Sequence, residues 1–404
     1  MKHVIVGDGV AGHTAAETIR EEDEESEIYV FTREPVPFYD RIGLRAYVRG
    51  GRAEEDLILN GRDWYEENGI ELHLDTGIER IKQGSQTVVT SGGERFSYDR
   101  LLLAVGGHPR KLPMEEDVEK VHHLWTLEEH GRPLRQDLQQ AGEGIVIGGG
   151  LLGFDLIGSF NEVVEATYLI REDRWWHSVL SEEGAEIVHE AMRENGVDLH
   201  LNEEAEELGN SGGGKVRVVT EGGDYETGVV GIAVGHERNL GLAEEAGLDT
   251  GRGIICDECL QTSDPDIYAA GDVAEYHDPV LEKRNLGGSW VTAQKQGEVA
   301  GKNMAGDREE LEFVDTYTVS HFGLTVASLG DPSDTAGKEV VTASDKEKQK
   351  YRRLVLEDGR IVGAAILGEM KWMHPLKQLI KEKIDVSGSV DDLENPEFDP
   401  DSLL

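Results

Sequence analysis

One pattern occurs twice in this chain and limits its fold more than any other feature. Val4-Ile5-Val6 runs into Gly7-Asp8-Gly9-Val10-Ala11-Gly12, and Ile145-Val146-Ile147 runs into Gly148-Gly149-Gly150-Leu151-Leu152-Gly153. Each copy is a short apolar run, then Gly-x-Gly-x-x-Gly, then a stretch with helical spacing, about 11–22 in the first copy. The first glycine of the pattern permits a tight turn, the second lets a pyrophosphate approach the backbone, and the third lets helix and strand pack closely. The helix N-terminus then faces the phosphates. A second apolar strand, Ile28-Tyr29-Val30-Phe31, leads into Thr32-Arg33-Glu34, where an acid suits a ribose hydroxyl pair. The later copy continues into Ala166-Thr167-Tyr168-Leu169-Ile170 and Arg171. Two dinucleotide folds in one chain suggest one bound cofactor and one exchanging partner. Further on, a strand brings Gly271-Asp272 to its carboxyl end, where ligands bind in open parallel sheets.

Charge narrows the function classes. The 404 residues carry 81 Asp+Glu against 40 Lys+Arg, a formal charge of −41. The acids are spread between regular apolar runs such as 101–105 and 145–147, so the composition does not spell disorder. Such a surface is expected of a protein adapted to very high salt, where the Debye length falls to about 3 Å; an ordinary acidic protein is the plainer alternative. The negative field excludes direct nucleic-acid binding. No apolar run reaches the ~18 residues of a membrane span. Met1-Lys2-His3 leads straight into the first strand and leaves no room for a secretory leader, so a cytoplasmic protein is expected. Two Cys cannot staple a chain of this length.

More segments fall in the same order. They are Tyr39-Asp40-Arg41-Ile42-Gly43-Leu44, Leu101-Leu102-Leu103-Ala104-Val105-Gly106-Gly107, Ala233-Val234-Gly235 and Trp290-Val291-Thr292-Ala293-Gln294-Lys295-Gln296-Gly297. Together with the Gly-rich loops they resemble the FAD-dependent pyridine nucleotide-disulfide oxidoreductase superfamily, from residue 1 to about 390. The likeness is nearest to the flavin modules of the nitrite reductase large subunit and of rubredoxin and ferredoxin reductases. It implies an α/β fold with two Rossmann-like dinucleotide-binding domains and a C-terminal α+β domain. The FAD domain would be discontinuous, 1–112 and 236–308, with a NAD(P) domain inserted at 113–235. A C-terminal interface domain would span 309–388, and 389–404 would be an acidic, mobile tail.

The resemblance also implies chemistry: hydride passes from NAD(P)H to flavin N5, and electrons then leave to a small redox protein such as ferredoxin or rubredoxin. Gly7, Gly9, Val10, Ala11 and Gly12 would take the FAD pyrophosphate, Glu34 the adenosine ribose, and Arg41 would balance phosphate charge. Ala104 and Gly106 lie on the return strand, Gly271 and Asp272 would hold the ribityl chain, and the helix starting at Trp290 would aim its positive end at the flavin. Gly148, Gly150, Leu151, Leu152, Gly153 and Gly235 would frame the nicotinamide nucleotide. Arg45 and Asp155 stand where relatives pair a Lys with a Glu, and would position the nicotinamide as the catalytic pair; a plain salt bridge is the rival reading. Arg171 and Arg174 favour NADPH, while Glu172 and Gly153 favour NADH, with a small margin to NADPH. Rivals to the reductase are an NAD(P)H oxidase making peroxide, a non-catalytic nicotinamide-sensing flavoprotein, and a membrane-surface quinone dehydrogenase. Self-association through the C-terminal domain is the remaining partner expectation.

Other clusters read as structural. Cys256 and Cys259 form a Cys-x-x-Cys away from the family's reactive positions, and are expected to be structural; no metal site is expected. His122-His123 reads as surface, Trp175-Trp176-His177 as packing, and 209–214 as a hairpin loop. Pro375 suits the first position of a helix whose Leu376, Leu379, Ile380 and Ile384 share a face.

Overall fold

The computed structural model describes residues 1–333 and 335–404. The chain packs as two units. One comprises Met1–Asp40, Ile58–His108 and Glu237–Asp315; the other comprises Arg41–Leu57, Pro109–His236 and Thr316–Leu404.

In the first unit, strand Lys2–Val6 is central to a five-stranded parallel sheet. The order is Ile267–Ala269, Arg100–Leu103, Lys2–Val6, Glu27–Phe31, Ile70–His73. Val4 and Ile5 point to opposite faces and both are fully buried, which explains the unbroken apolar run. Helix Val10–Glu22 leaves the central strand through the first Gly-rich loop and packs against helix Trp290–Ala305. That approach depends on small residues: a methyl group on Gly297 would lie 2.3 Å from the Ala11 carbonyl oxygen, and one on Gly301 would lie 2.9 Å from that of Ala15. A three-stranded antiparallel sheet, Ile78–Lys82, Thr87–Thr90 and Arg95–Ser97, precedes the return strand.

The second unit repeats the design. Its parallel sheet runs Asp198–Leu201, Glu165–Ile170, Glu143–Ile147, Val229–Ile232, Val121–His122. A three-stranded antiparallel sheet again precedes the return strand: Ala205–Ser211, Lys215–Thr220, Asp224–Thr227. The first of these extends through Ser211, so only 212–214 remain as the turn that was expected over 209–214.

The same unit contains a C-terminal antiparallel sheet, Thr316–His321, Leu324–Gly330, Arg360–Leu367, Lys350–Glu357, Glu339–Asp345. Helix Met373–Lys381 covers it with Leu376, Leu379 and Ile380; Pro375 is its third residue, two places after the expected first position. The expected fold class is therefore observed. The mobile tail is not. Arg352, fully buried, donates to the carbonyls of Leu393, Asn395 and Phe398 at 3.0–3.1 Å and lies 4.5 Å over the Trp372 ring. Three peptide carbonyls surrounding one guanidinium order residues that charge alone would leave in water.

Residues 41–57 join the second unit through ion pairs. Arg132 clasps Glu54 with two nitrogens at 2.6 and 3.0 Å, Tyr47 donates to the same carboxylate at 3.0 Å, and Arg135 lies 4.3 Å over the Tyr47 ring. Arg49 also pairs with Glu162. Among the described residues, no helix is long and apolar enough to cross a membrane.

Candidate functional site

Each unit carries one Gly-rich loop, and the two are built alike. Gly7 has φ +110°, and a methyl group on it would lie 2.2 Å from the Ala104 carbonyl oxygen; Gly148 has φ +125° and the same distance to that of Ala233. A methyl group on Gly12 or Gly153 would lie 1.9 Å from the carbonyl oxygen of Gly7 or Gly148. Gly9 and Gly150 differ: a methyl group on either meets nothing within 4 Å. Each precedes the helix directly, Val10–Glu22 or Leu151–Asn161, with no side chain capping the first turn. Two glycines per loop thus hold backbone to backbone, and the third leaves the helix N-terminus accessible to a phosphate.

In the first unit, Glu34 follows strand Glu27–Phe31 and accepts a hydrogen bond from Tyr39 at 2.7 Å. Gly106 has φ +58°, and Asn239 clamps this stretch by donating to Val105 O at 2.7 Å and, through its backbone, to Gly106 O at 3.0 Å. Gly271 donates its N–H to Gln296 Oε1 at 2.6 Å, and Arg238 Nε donates to Asp272 O at 2.7 Å. Helix Trp290–Ala305 is capped by Ser289, which accepts from Thr292 N at 3.1 Å; Asp315 accepts from the hydroxyls of both. Trp290 stacks on Phe38 at 5.8 Å.

The first unit therefore brings Gly7, Gly9, Val10, Ala11, Gly12, Glu34, Ala104, Gly106, Gly271, Asp272 and Trp290 into one body. Gln296 Nε2 is buried and has no hydrogen-bond partner among the described residues. An orphaned donor beside Gly271-Asp272, an uncrowded Gly9 and a helix N-terminus suit the phosphates and polar edges of FAD.

One neighbouring network is not foreshadowed by any sequence motif. Tyr65 donates to both oxygens of Asp8, at 2.7 and 2.9 Å, and accepts from His13 Nδ1 at 2.8 Å. His13 Nε2 accepts from Asn60 at 2.7 Å, and the imidazole stacks on Phe38 at 4.0 Å. Burial holds the His13 pKa down to about 4, so it is neutral. Asp8 and His13 lie in and beside the first Gly-rich loop, but Asn60 and Tyr65 come some fifty residues later, and no motif joins the two pairs.

In the second unit, the expected packing aromatics prove to clasp the loop. Trp175 Nε1 donates to Gly150 O at 3.2 Å, Trp176 N donates to Gly149 O at 2.8 Å, and Tyr168 donates to Gly148 O at 2.6 Å. After the second strand, Arg171 pairs with Glu172 at 2.8 Å and reaches Glu204 at 3.7 Å. Arg174 is held by Asp173 at 2.8 Å and by the carbonyls of Leu180 and His177 at 3.0 and 3.2 Å. Gly235 has φ +103° at the end of the return stretch, and Leu151 and Leu152 begin the helix.

Arg45 and Asp155 meet at 2.5 Å in this unit. Asp155 Oδ1 also accepts from His321 Nε2 at 2.8 Å. Burial pushes the Asp155 carboxyl up, but His321 and Arg45 more than offset it and hold it below the usual range. Arg41, expected near phosphate, donates to Trp125 O at 3.2 Å within this unit.

His122 and His123 are not at the surface: His122 bonds Asp137 at 2.7 Å, and the buried His123 bonds Glu115 at 3.0 Å and Ile232 O at 3.2 Å. Cys256 and Cys259 are free and buried, and burial pushes both thiols up, away from the reactive thiolate.

Two parallel sheets, each with its own dinucleotide loop, define a two-nucleotide oxidoreductase. The chain belongs to the pyridine nucleotide-disulphide oxidoreductase family, which it matches over residues 1–297; residues 318–384 match the rubredoxin NAD+ reductase C-terminal domain. Flavoproteins of this family bind FAD and NAD(P)H. The chain is 29% identical over 389 residues to the NAD(P)H nitrite reductase of Bacillus subtilis (strain 168), covering 95% of this chain and 48% of that protein. It thus spans about half the length of that relative. It is 25% identical over 394 residues to the NADH-rubredoxin oxidoreductase of Clostridium acetobutylicum, covering 97% and 96% of the two chains. Among solved structures, the reductase of the covalent putidaredoxin reductase–putidaredoxin complex superposes with a TM-score of 0.91 at 25% identity, covering 100% of this chain and 97% of that one.

Proposed function

We propose that the protein is an FAD-dependent NAD(P)H:acceptor oxidoreductase that passes electrons to a small redox protein. The observation that carries this reading is the pair of like-built loops in which Gly9 and Gly150 stay uncrowded. The free, buried state of both cysteines supports electron exit without an internal dithiol.

The flavin, when bound, supplies the chemistry of accepting a hydride and giving up electrons singly. The chain's own residues bind and orient. Backbone N–H groups at Gly9 and Val10 hold the FAD pyrophosphate. Glu34, fixed by Tyr39, takes the adenosine ribose. Asp272, with Gly271, takes the ribityl chain, and the N-terminus of helix Trp290–Ala305 favours negative charge on the ring system. The return stretches at Ala104 and Gly106 line the FAD, and Gly235 lines the nicotinamide nucleotide. Gly148, Gly150, Leu151, Leu152 and Gly153 hold the nicotinamide nucleotide, and the Arg45–Asp155 pair positions its reactive end.

We take NADH over the NADPH narrowly favoured by the bare sequence. The Arg171 guanidinium is engaged by Glu172 and Glu204, and that of Arg174 by Asp173 and two carbonyls. This supports a carboxylate for a ribose 2′-hydroxyl rather than a free guanidinium for a 2′-phosphate. In domain terms, 1–112 with 236–308 serve FAD, except the 41–57 stretch that packs with the second unit, 113–235 serve the nicotinamide, and 309–388 with the acidic 389–404 form the C-terminal domain. The same reading puts the protein in the cytoplasm, with any self-association through that last domain.

The test is an anaerobic titration of the purified protein with NADH and NADPH separately, followed at the yellow flavin band. Rapid bleaching by NADH, then fast reoxidation by rubredoxin or ferredoxin and slow reoxidation by air, is expected. A protein without a flavin band, or with one indifferent to both nucleotides, overturns the reading.

A further inference from the structure

Asp155 gathers donors from two separate stretches of the second unit. Arg45 Nη1 and His321 Nε2 share one oxygen, Oδ1, at 2.5 and 2.8 Å. Burial and the nearby Asp155 carboxylate push up the phenol of Tyr317, four residues earlier on strand Thr316–His321. Arg45 lies on helix Leu44–Val48, with its Nε donating to Ile42 O at 3.0 Å, and Asp155 lies on helix Leu151–Asn161. The imidazole is seated with care. A methyl group on Gly158, one turn after Asp155, would lie 2.1 Å from His321 Nδ1. Phe154 meets the ring edge-on at 5.7 Å.

A short aspartate side chain held only by the long, partly exposed Arg45 would follow that arginine's rotamers. A ring fixed on a sheet strand and bonded to the same oxygen removes that freedom. We propose that His321 is a positioning residue of the nicotinamide site, supplied by the C-terminal sheet, which fixes Asp155 and through it the direction of the Arg45 guanidinium. This inference rests on the proposed role of the Arg45–Asp155 pair. Neither Gly-rich motif contains His321, and packing alone would not require its nitrogen on the oxygen that Arg45 uses.

The experiment uses the FAD-loaded full chain and NAD+ as an unreactive probe, measured by isothermal titration calorimetry. His321→Ala is expected to weaken NAD+ binding about tenfold, the loss of one hydrogen bond to a charged group. His321→Gln, whose amide nitrogen can stand where Nε2 stands, is expected to return to within about twofold of wild type. Gly158→Ala keeps the histidine but displaces its ring, and is expected to behave like His321→Ala even should that variant fold poorly. In an Arg45→Ala background, His321→Ala should add little further loss, because the two act through one carboxylate. Full-strength NAD+ binding by His321→Ala and Gly158→Ala, or additive losses with Arg45→Ala, overturns the inference and leaves the functional reading standing. A wild-type protein that takes up neither nucleotide overturns both.

Discussion

At Gly7 an added methyl group would lie 2.2 Å from a backbone oxygen, whereas at Gly9, two residues on, it would touch nothing within 4 Å. The two glycines therefore fail differently. Gly7→Ala forces backbone to move at a left-handed position and is expected to cost ~2–4 kcal/mol of stability. Gly9→Ala is expected to fold with an unchanged melting temperature in the FAD-free state but to hold FAD about tenfold more weakly. Thermal melts and the flavin-to-protein absorbance ratio separate the two outcomes. Further along, Glu172→Ala removes the carboxylate that engages Arg171 and is expected to shift the NADH/NADPH affinity ratio about tenfold toward NADPH. The glycines were legible in the sequence because each motif is contiguous and its spacing has one geometric meaning. His321 and Tyr317 were not, since 166 residues separate His321 from Asp155 and no period links them. The same holds for Asp8 and Tyr65, 57 residues apart.

Strands and helices were easier to read than the surfaces they share. Buried parallel strands show as unbroken apolar runs, and helix Trp290–Ala305 begins where its motif predicts. Residues 41–57 were harder: their sequence neighbours are in one unit, but Glu54, Tyr47 and Arg45 find partners in the other. The acidic 389–404 segment reads as a mobile tail, whereas one buried cation, Arg352, draws its carbonyls in against that charge. Arg352→Ala strips three carbonyls of their donor and removes a cation–π contact, an expected cost of about 3 kcal/mol. Limited proteolysis should then cut within 393–404 at protease levels that leave the wild type intact.

Taken whole, the molecule is expected to lose stability on mild acidification. Burial holds His3, His13 and His130 down to about 4 in the folded state, against an ordinary 6.5. Between those values the unfolded chain binds protons that the folded chain refuses, so stability is full above 6.5 and falls as pH drops toward 4. Each site contributes on the order of 1–3 kcal/mol, and urea melts at pH 7 and pH 5 should differ accordingly. With a formal charge of −41, the protein is also expected to melt higher as KCl is raised, while a salt-indifferent melt would argue for an ordinary acidic protein. The chain passes between its two units at 40–41, 57–58, 108–109, 236–237 and 315–316. No single cut of the gene therefore releases either one. A recombinant that exchanged only 113–235 would import a new Gly-rich loop but keep the old Arg45, Arg49 and Glu54, all evolved against other partners. Homologous shuffling at this locus would succeed only when two distant stretches travel together, so the nicotinamide half behaves in heredity as a linked pair and not as a cassette.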